Sequence, residues 1–280
     1  MLSYQHAYHA GNFADVHKHL VLYAVVEHLL RKESAVTYID THAGRGLYPL
    51  ASGEASKLQE HRDGVGRLWQ ARQRLAGEPL LENWLAALAR VQRGRALDHY
   101  PGSPWWLSQG LRAQDRLRLF ELHPGEHGHL AEQALPANVR RVHGDGLAGL
   151  LQGLPVSTPR LCVLIDPSYE RKAEYSEVAE TVLKTMRKSR HAQVLVWYPL
   201  LPAGRHQALL DGLRDHGLRK VWRSELTLGG PGEGHGMYGS GMLVVNPPWG
   251  LEARLADTMA ALTPLLGDAC RHRGDWWVPE

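Results

Sequence analysis

Four expected strands in this 280-residue chain each end in side chains that can do chemistry. The first ends at Asp40 and turns through Thr41-His42-Ala43-Gly44-Arg45-Gly46. The second, LRLFE, ends at Glu121. The third runs into Gly144-Asp145-Gly146, and the fourth, LCVLI, into Asp166-Pro167-Ser168-Tyr169. Ligands of open α/β sheets sit at the carboxyl ends of the strands, so four such ends in order describe one pocket. Singly, each has a plainer reading. Gly44 and Gly46 suit an ordinary strand-to-helix turn as well as a close approach to a ligand. The third glycine of the dinucleotide fingerprint is missing, and no G-K-[ST] is present, which speaks against a pyrophosphate site and a P-loop. Glu121 can accept from a ribose diol or simply be solvated. Asp145 can accept from an adenine amino group.

Asp166 to Tyr169 suggest the chemistry. The exocyclic amine of adenine is a poor nucleophile because its lone pair is delocalised into the ring. To attack a methyl group it must be held with its hydrogens on acceptors. The Asp166 carboxylate and the Pro167 carbonyl supply two, which favours the nitrogen as it becomes tetrahedral. Asp166 can also take the departing proton. Tyr169 is expected to stack on the base and orient it. The plainer alternative is a strand end with a proline turn and a packed tyrosine. A similar cluster, Asn246-Pro247-Pro248-Trp249, follows the run SGMLVV. It comes after the last expected strand, whereas strand four of a doubly wound sheet lies beside strand one. Asn246 to Trp249 are therefore read as structural.

The elements that must position these residues alternate. A helix is expected over 13–33, with apolar residues at Val16, Leu20, Tyr23, Ala24 and Leu30. Strands follow at 35–40, 117–122, 139–143, 161–165 and 192–198, with helices over 173–189 and 204–217. Strands 219–228 and 239–246, joined by a glycine-rich loop, read as a closing hairpin. The gap between the first two strands is too long for a simple crossover. Its helical stretches, 54–76 and 79–92, make residues 47–100 a helical insert, with Pro79 opening the second helix. The expected fold is α/β: a seven-stranded, mostly parallel sheet with helices on both faces and a C-terminal antiparallel hairpin. Residues 1–46 and 101–280 form the main domain.

Composition sets wide bounds. The formal charge is +3, which permits a nucleic-acid partner without requiring one. Two cysteines make no disulfide framework, and no apolar run approaches a bilayer span. The N-terminus has no signal-peptide core, so the expectation is a soluble, cytoplasmic protein. Seventeen histidines invite a metal reading, but no H-E-x-x-H or C-x-x-C is present and none is expected. His17 and His19 fall on nearly opposite faces of their helix. His6 and His9 are placed near the substrate.

The ordered set from Asp40 to Tyr169 resembles the class I, Rossmann-like methyltransferases that use S-adenosylmethionine, and among them the N6-adenine group. LSYQHAYHAGNFADVHKH, DTHAGRG, YPGSP at 100–104, ELHP at 121–124, WYPL at 197–200, SGMLVVNPPW at 240–249 and the closing VPE resemble the bacterial RlmJ family of 23S rRNA adenine-N6 methyltransferases. The resemblance covers nearly the whole chain. It implies methyl transfer from S-adenosyl-L-methionine, leaving S-adenosyl-L-homocysteine, to adenine 2030 of 23S rRNA free of ribosomal proteins. It implies cofactor contacts at His19, His42, Ser103, Glu121, Asp145, Gly146 and Asp166, with Gly44 in the turn and Lys18 nearby to hold the cofactor carboxylate. Asp166 takes the catalytic position, and Tyr4, with His6 and His9, the substrate side. A monomer without membrane contact is expected. The chain departs from the family at Ser168, where DPPY becomes DPSY; this frees one φ angle and adds a hydroxyl, while the Pro167 carbonyl remains. The basic residues of the insert suit either an RNA-facing surface or a plain helical cap. Adenine in DNA, a protein glutamine, or a non-catalytic RNA-binding role are the competing readings.

Overall fold

Burial on both faces decides the sheet. The structure, a computed structural model, describes residues 5–231 and 236–280. In chain order, α1 (Phe13–Leu30) leads to β1 (Val36–Asp40), then β2 (Leu47–Pro49), α2 (Gly53–Leu58), α3 (Val65–Ala71), α4 (Pro79–Ala89) and β3 (His99–Pro101). Next come α5 (Ser103–Ser108), β4 (Arg116–Glu121), α6 (Pro124–Glu132), β5 (Val139–His143), α7 (Gly146–Gln152), β6 (Arg160–Ile165) and α8 (Glu174–Lys188). The chain closes with β7 (Gln193–Leu200), α9 (Gln207–Asp215), β8 (Val221–Thr227), β9 (Gly239–Val245), α10 (Leu251–Leu266) and β10 (Arg271–Val278). The main sheet has eight strands in the order β10-β8-β9-β7-β6-β1-β4-β5. β1, β4, β5, β6 and β7 run parallel, while β9 is antiparallel to both β7 and β8.

Alternate residues of the strands feed two cores. Tyr38, Leu119, Leu164, Leu195, Met242 and Val244 face the layer that contains α1, α5 and α10. Ile39, Val163, Val194, Val196, Leu243 and Val245 face α7, α8 and α9. Two covered faces explain why β1 and β9 are buried at every position, the polar Thr37, Asp40 and Ser240 included. β6 pairs with β1 along its length, Asp40 standing opposite Leu164, so the turns after Asp40 and Ile165 are neighbours. The antiparallel β9 carries Asn246 to the opposite end of the strands, beside the start of β7, where its side chain donates to the carbonyls of Arg190 and Ala192 at 2.9 Å. The placement of Asn246 to Trp249 is thus that of a structural turn.

Three features differ from the sequence expectation. The sheet has an eighth strand, β10, which pairs antiparallel with β8 after the further helix α10. Arg271, Arg273 and Asp275 interrupt its apolar pattern, as suits an edge strand that must not recruit another chain. The stretch 54–76 is not one helix: α2 stops at Gln59, whose φ of 54° is left-handed, and a 3-10 turn precedes α3. The ends of the insert pair as a two-stranded ladder, β2 with β3. The insert does not build a separate core; Leu68, Trp84, Leu85 and Leu88 join the layer containing α1 and α10. No helix among the described residues is long and apolar enough to cross a membrane.

Trp84 is the main anchor. It is fully buried and stacks on Trp106 of α5, with centroids 5.1 Å apart and an 11° interplanar angle. Trp84→Ala should destabilise the whole chain by about 3–5 kcal/mol, read as a lower urea midpoint. A loss under about 1 kcal/mol would show that the insert is not tied into the core by this pair.

Candidate active site

The site begins at the first turn of α1. Asn12 caps the helix, its side chain accepting from the Asp15 N–H at 2.9 Å. Asp15 and Lys18 are three residues apart and share a helix face. Asp15 Oδ2 accepts from the Gly11 N–H at 2.9 Å and lies 2.8 Å from His6 Nε2. Its Oδ1 lies 2.9 Å from Lys18 Nζ. Lys18 then crosses to the end of β6, where Nζ is 2.5 Å from Asp166 Oδ2. An ammonium taken out of water must be paired, and here two carboxylates share it. Burial opposes the charge on Lys18, but Asp15 and then Asp166 outweigh it and hold its pKa above the ordinary lysine range. Burial likewise works against Asp15, and the charges of His6 and Lys18 hold its carboxyl well below the usual range.

The strand ends close around the same space. Glu121 accepts from the Gly44 N–H at 2.8 Å and from the His123 N–H at 2.7 Å, tying the turns after β1 and β4 together. Burial raises its pKa, against those two bonds. A carboxylate has about four acceptor positions, so capacity remains for a ligand. Gly44 and Gly46 turn the chain with φ of 60° and 84°. Asp145 Oδ1 caps α7 through the N–H groups of Leu147 and Ala148 at 2.9 and 3.1 Å. Gly146 abuts the β1 turn so closely that a Cβ would lie 1.9 Å from the Thr41 carbonyl oxygen. Only glycine allows that contact.

These parts line one cavity of about 370 Å³, within the range of small-molecule sites. Lys18, His19, His42, Gly44, Ser103, Glu121, Asp145, Gly146, Asp166 and Pro167 all line it, as do His6 and His9. His42 is pushed down to about 4 by burial, with Asp166 and Asp145 opposing, and its Nδ1 lies 2.8 Å from Thr41 Oγ1. His19 is held neutral by burial; Nδ1 meets the Tyr100 hydroxyl at 2.8 Å, and Nε2 has no partner among the described residues. His9 is 3.1 Å from Glu60. Tyr4 lies outside the described residues. No group of three or more His, Cys, Asp or Glu among the described residues is placed to hold a metal.

Tyr169 is the correction. It is only 6% exposed and is not on the cavity wall. A left-handed φ of 53° turns it inward, its ring stacks on Tyr175 at 4.2 Å, and its hydroxyl donates to the Trp197 carbonyl at 2.8 Å. The ring is used by the core and is not placed to stack on a base. The aromatic wall beside Asp166 is instead Trp197, whose ring centroid is 5.6 Å from Lys18 Nζ. Trp197 and Asp15 were missing from the sequence candidates. Asp15-x-x-Lys18 was the one legible signal, a carboxylate and an amine on one helix face.

Buried histidines set the acid response. His17, His42 and His272 are held down to about 3, about 4 and about 4, chiefly by burial. Between about pH 4 and 6.5 the unfolded chain takes protons that these folded groups refuse, so they make stability rise with pH. Asp40 acts in the opposite sense. Burial raises its carboxyl to about 7, against bonds from Ser103 and the His42 N–H, so its contribution falls as pH rises toward that value. His9, raised by Glu60, also opposes. His17→Gln should flatten the stability–pH slope in this window by about 1.4 kcal/mol per pH unit, measured by urea unfolding. An unchanged slope would mean that His17 is not neutral in the folded chain.

Comparison with known proteins agrees with this geometry. The family model described as "Ribosomal RNA large subunit methyltransferase D, RlmJ" matches residues 33–278. The chain is 36% identical to Ribosomal RNA large subunit methyltransferase J of Haemophilus influenzae, covering 99% of this chain and 98% of that one. It is also 36% identical to the Escherichia coli K12 protein of the same name, over the full length of both. A Legionella pneumophila protein of known crystal structure superimposes with a TM-score of 0.88 at 33% identity, covering 96% of this chain and 98% of that one. With its strand order, its cavity at the strand ends and these full-length matches, the chain belongs to the RlmJ family of large-subunit ribosomal RNA methyltransferases, which have the class I methyltransferase fold.

Proposed function

We propose that this chain methylates the exocyclic amine of one adenine, adenine 2030, in 23S rRNA. The observation that carries the reading is the Asp166 carboxylate, fixed by buried Lys18 on the wall of the cavity that Glu121, Gly44 and Gly146 close. The fit to S-adenosyl-L-methionine rests on that wall. Glu121 has acceptor capacity for a ribose diol. The close Gly146–Thr41 contact shapes the floor, and His19 Nε2 is a buried group without a partner among the described residues. His42, Ser103 and Asp145 complete the set of residues that would hold it. When bound, S-adenosyl-L-methionine supplies an electrophilic methyl group on a positively charged sulfur.

The chain's own residues do the rest. Lys18 occupies Asp166 Oδ2, which leaves Oδ1 as the acceptor for one hydrogen of the target amine. The Pro167 carbonyl is the acceptor for the other. These two bonds draw the nitrogen lone pair out of conjugation and toward the methyl carbon, the effect needed in the transition state. The nitrogen gains the methyl and must lose a proton, for which Asp166 is the adjacent base. Trp197 supplies the aromatic surface first expected from Tyr169. His6 and His9 line the cavity and are assigned to the substrate side. A paired adenine must leave its helix to enter, at a cost of a few kcal/mol. The exposed Arg62, Arg72, Arg74, Arg93 and Arg95 give the 47–100 insert a basic surface for RNA phosphates. The reading includes a monomeric, cytoplasmic enzyme acting on RNA free of ribosomal proteins.

The test is transfer of labelled methyl groups into protein-free 23S rRNA transcript, with a matched DNA oligomer beside it. One N6-methyladenine in the RNA and none in the DNA is expected. Transfer into DNA alone would overturn the RNA assignment. Asp166→Asn should lower kcat, measured at saturating donor, by about 10²–10⁴. An unchanged rate would remove Asp166 from the mechanism.

A further inference from the structure

From Trp197 on the cavity wall a chain of buried polar groups runs away from the cavity through α1, and none beyond Trp197 lines the site described above. Trp197 Nε1 donates to Ser240 Oγ at 3.0 Å. Ser240 Oγ lies 3.0 Å from His17 Nδ1, and His17 Nε2 lies 2.9 Å from Ser224 Oγ. Ser224 Oγ lies 2.8 Å from His272 Nε2. His17, Ser224 and Ser240 are all 0% exposed. Three polar side chains set in an apolar layer at the cost of desolvation need a reason.

Hydrogen counting fixes the polarity of this chain. The indole N–H can only donate. Ser240 receives it, and the Ser240 proton then has one polar neighbour left in the network, His17 Nδ1. That makes His17 an acceptor at Nδ1 and a donor at Nε2. Ser224 accepts from His17 Nε2 and passes its own proton to His272 Nε2. The reverse polarity would strand the Ser240 hydroxyl proton between two donors, and an unpaired buried donor costs about 1–3 kcal/mol. Every member is therefore satisfied in one direction only, and the indole is the donor at the cavity end.

We propose that Ser240, His17 and Ser224 are positioning residues that fix the plane of the Trp197 indole at the cavity wall, and so the plane in which the substrate base is presented to Asp166. The inference rests on the reading of the cavity as the site of a flipped base. Trp197 is only partly buried, so packing holds its indole less firmly than an enclosed ring; one directed bond to a hydroxyl that is itself oriented narrows the remaining freedom. The three groups come from α1, β8 and β9, so the indole plane is referenced to the scaffold and not to a loop.

The test is Ser240→Ala, alone and with Trp197→Phe, read as RNA KM, donor Kd and, without RNA, hydrogen exchange of the Trp197 indole N–H by NMR. Ser240→Ala should speed that exchange and raise RNA KM about fivefold, the effect of one lost hydrogen bond, with donor Kd within twofold. Phenylalanine has no N–H, so in the Trp197→Phe background Ser240→Ala should add nothing. An equal factor in both backgrounds would make Ser240 a packing residue and overturn the proposal. Unchanged indole exchange would overturn it whatever the substrate proves to be. Faster exchange with unchanged RNA KM would keep the hydrogen bond but remove Trp197 from base presentation.

Discussion

Everything in this site depends on one buried ammonium. Lys18 is 5% exposed and shared between Asp15 and Asp166. An unpaired charge there would be very costly, so the three side chains must be placed together. Asp15 and Lys18 come from the helix before the first strand, and Asp166 from the turn after the fourth parallel strand. The ion pair thus ties the N-terminal helix to the turn after β6. Through Asp15 it also fixes His6 and the Gly11 N–H, so the N-terminal wall of the cavity is set by the same group.

The sheet order makes that meeting possible. β6 lies against β1, which brings Asp166 beside the glycine turn after Asp40. β4 lies on the other side of β1, which lets Glu121 accept from Gly44. β9, inserted between β7 and β8, sends the look-alike Asn246 to the far end of the strands and places Ser240 under Trp197. One antiparallel strand therefore both removes a competitor and supports the cavity wall.

The end of β6 was legible because a strand covered on two faces reads as a continuous apolar run with an abrupt polar stop; β5, VRRVH with no buried residue, was marked only by the Gly144-Asp145-Gly146 that follows it. Helical periodicity separated His17 from His19 correctly: one meets Ser224 and Ser240, the other Tyr100. What could not be read was direction and distance. An aromatic after a strand end can face the ligand or the core, and the left-handed φ at Tyr169 that chose the core has no signature in a non-glycine residue. The Lys18–Asp166 pair spans 148 residues, so no local pattern announces it. β10 was hidden by the charges that protect an edge strand. The spacing of Leu251, Leu255, Met259, Leu262 and Leu266 in α10, by contrast, was available and is a plain helical stripe.

The central claim is that Lys18 acts on the reaction through Asp166. Single-turnover methyl transfer in Lys18→Met, Asp166→Asn and the double variant measures it directly, with saturating donor and RNA. If the two groups work as one unit, the double variant should be scarcely slower than the worse single variant. If the two losses multiply, Lys18 acts elsewhere in the cavity, and the account of the ion pair as the organiser of the catalytic carboxylate is wrong.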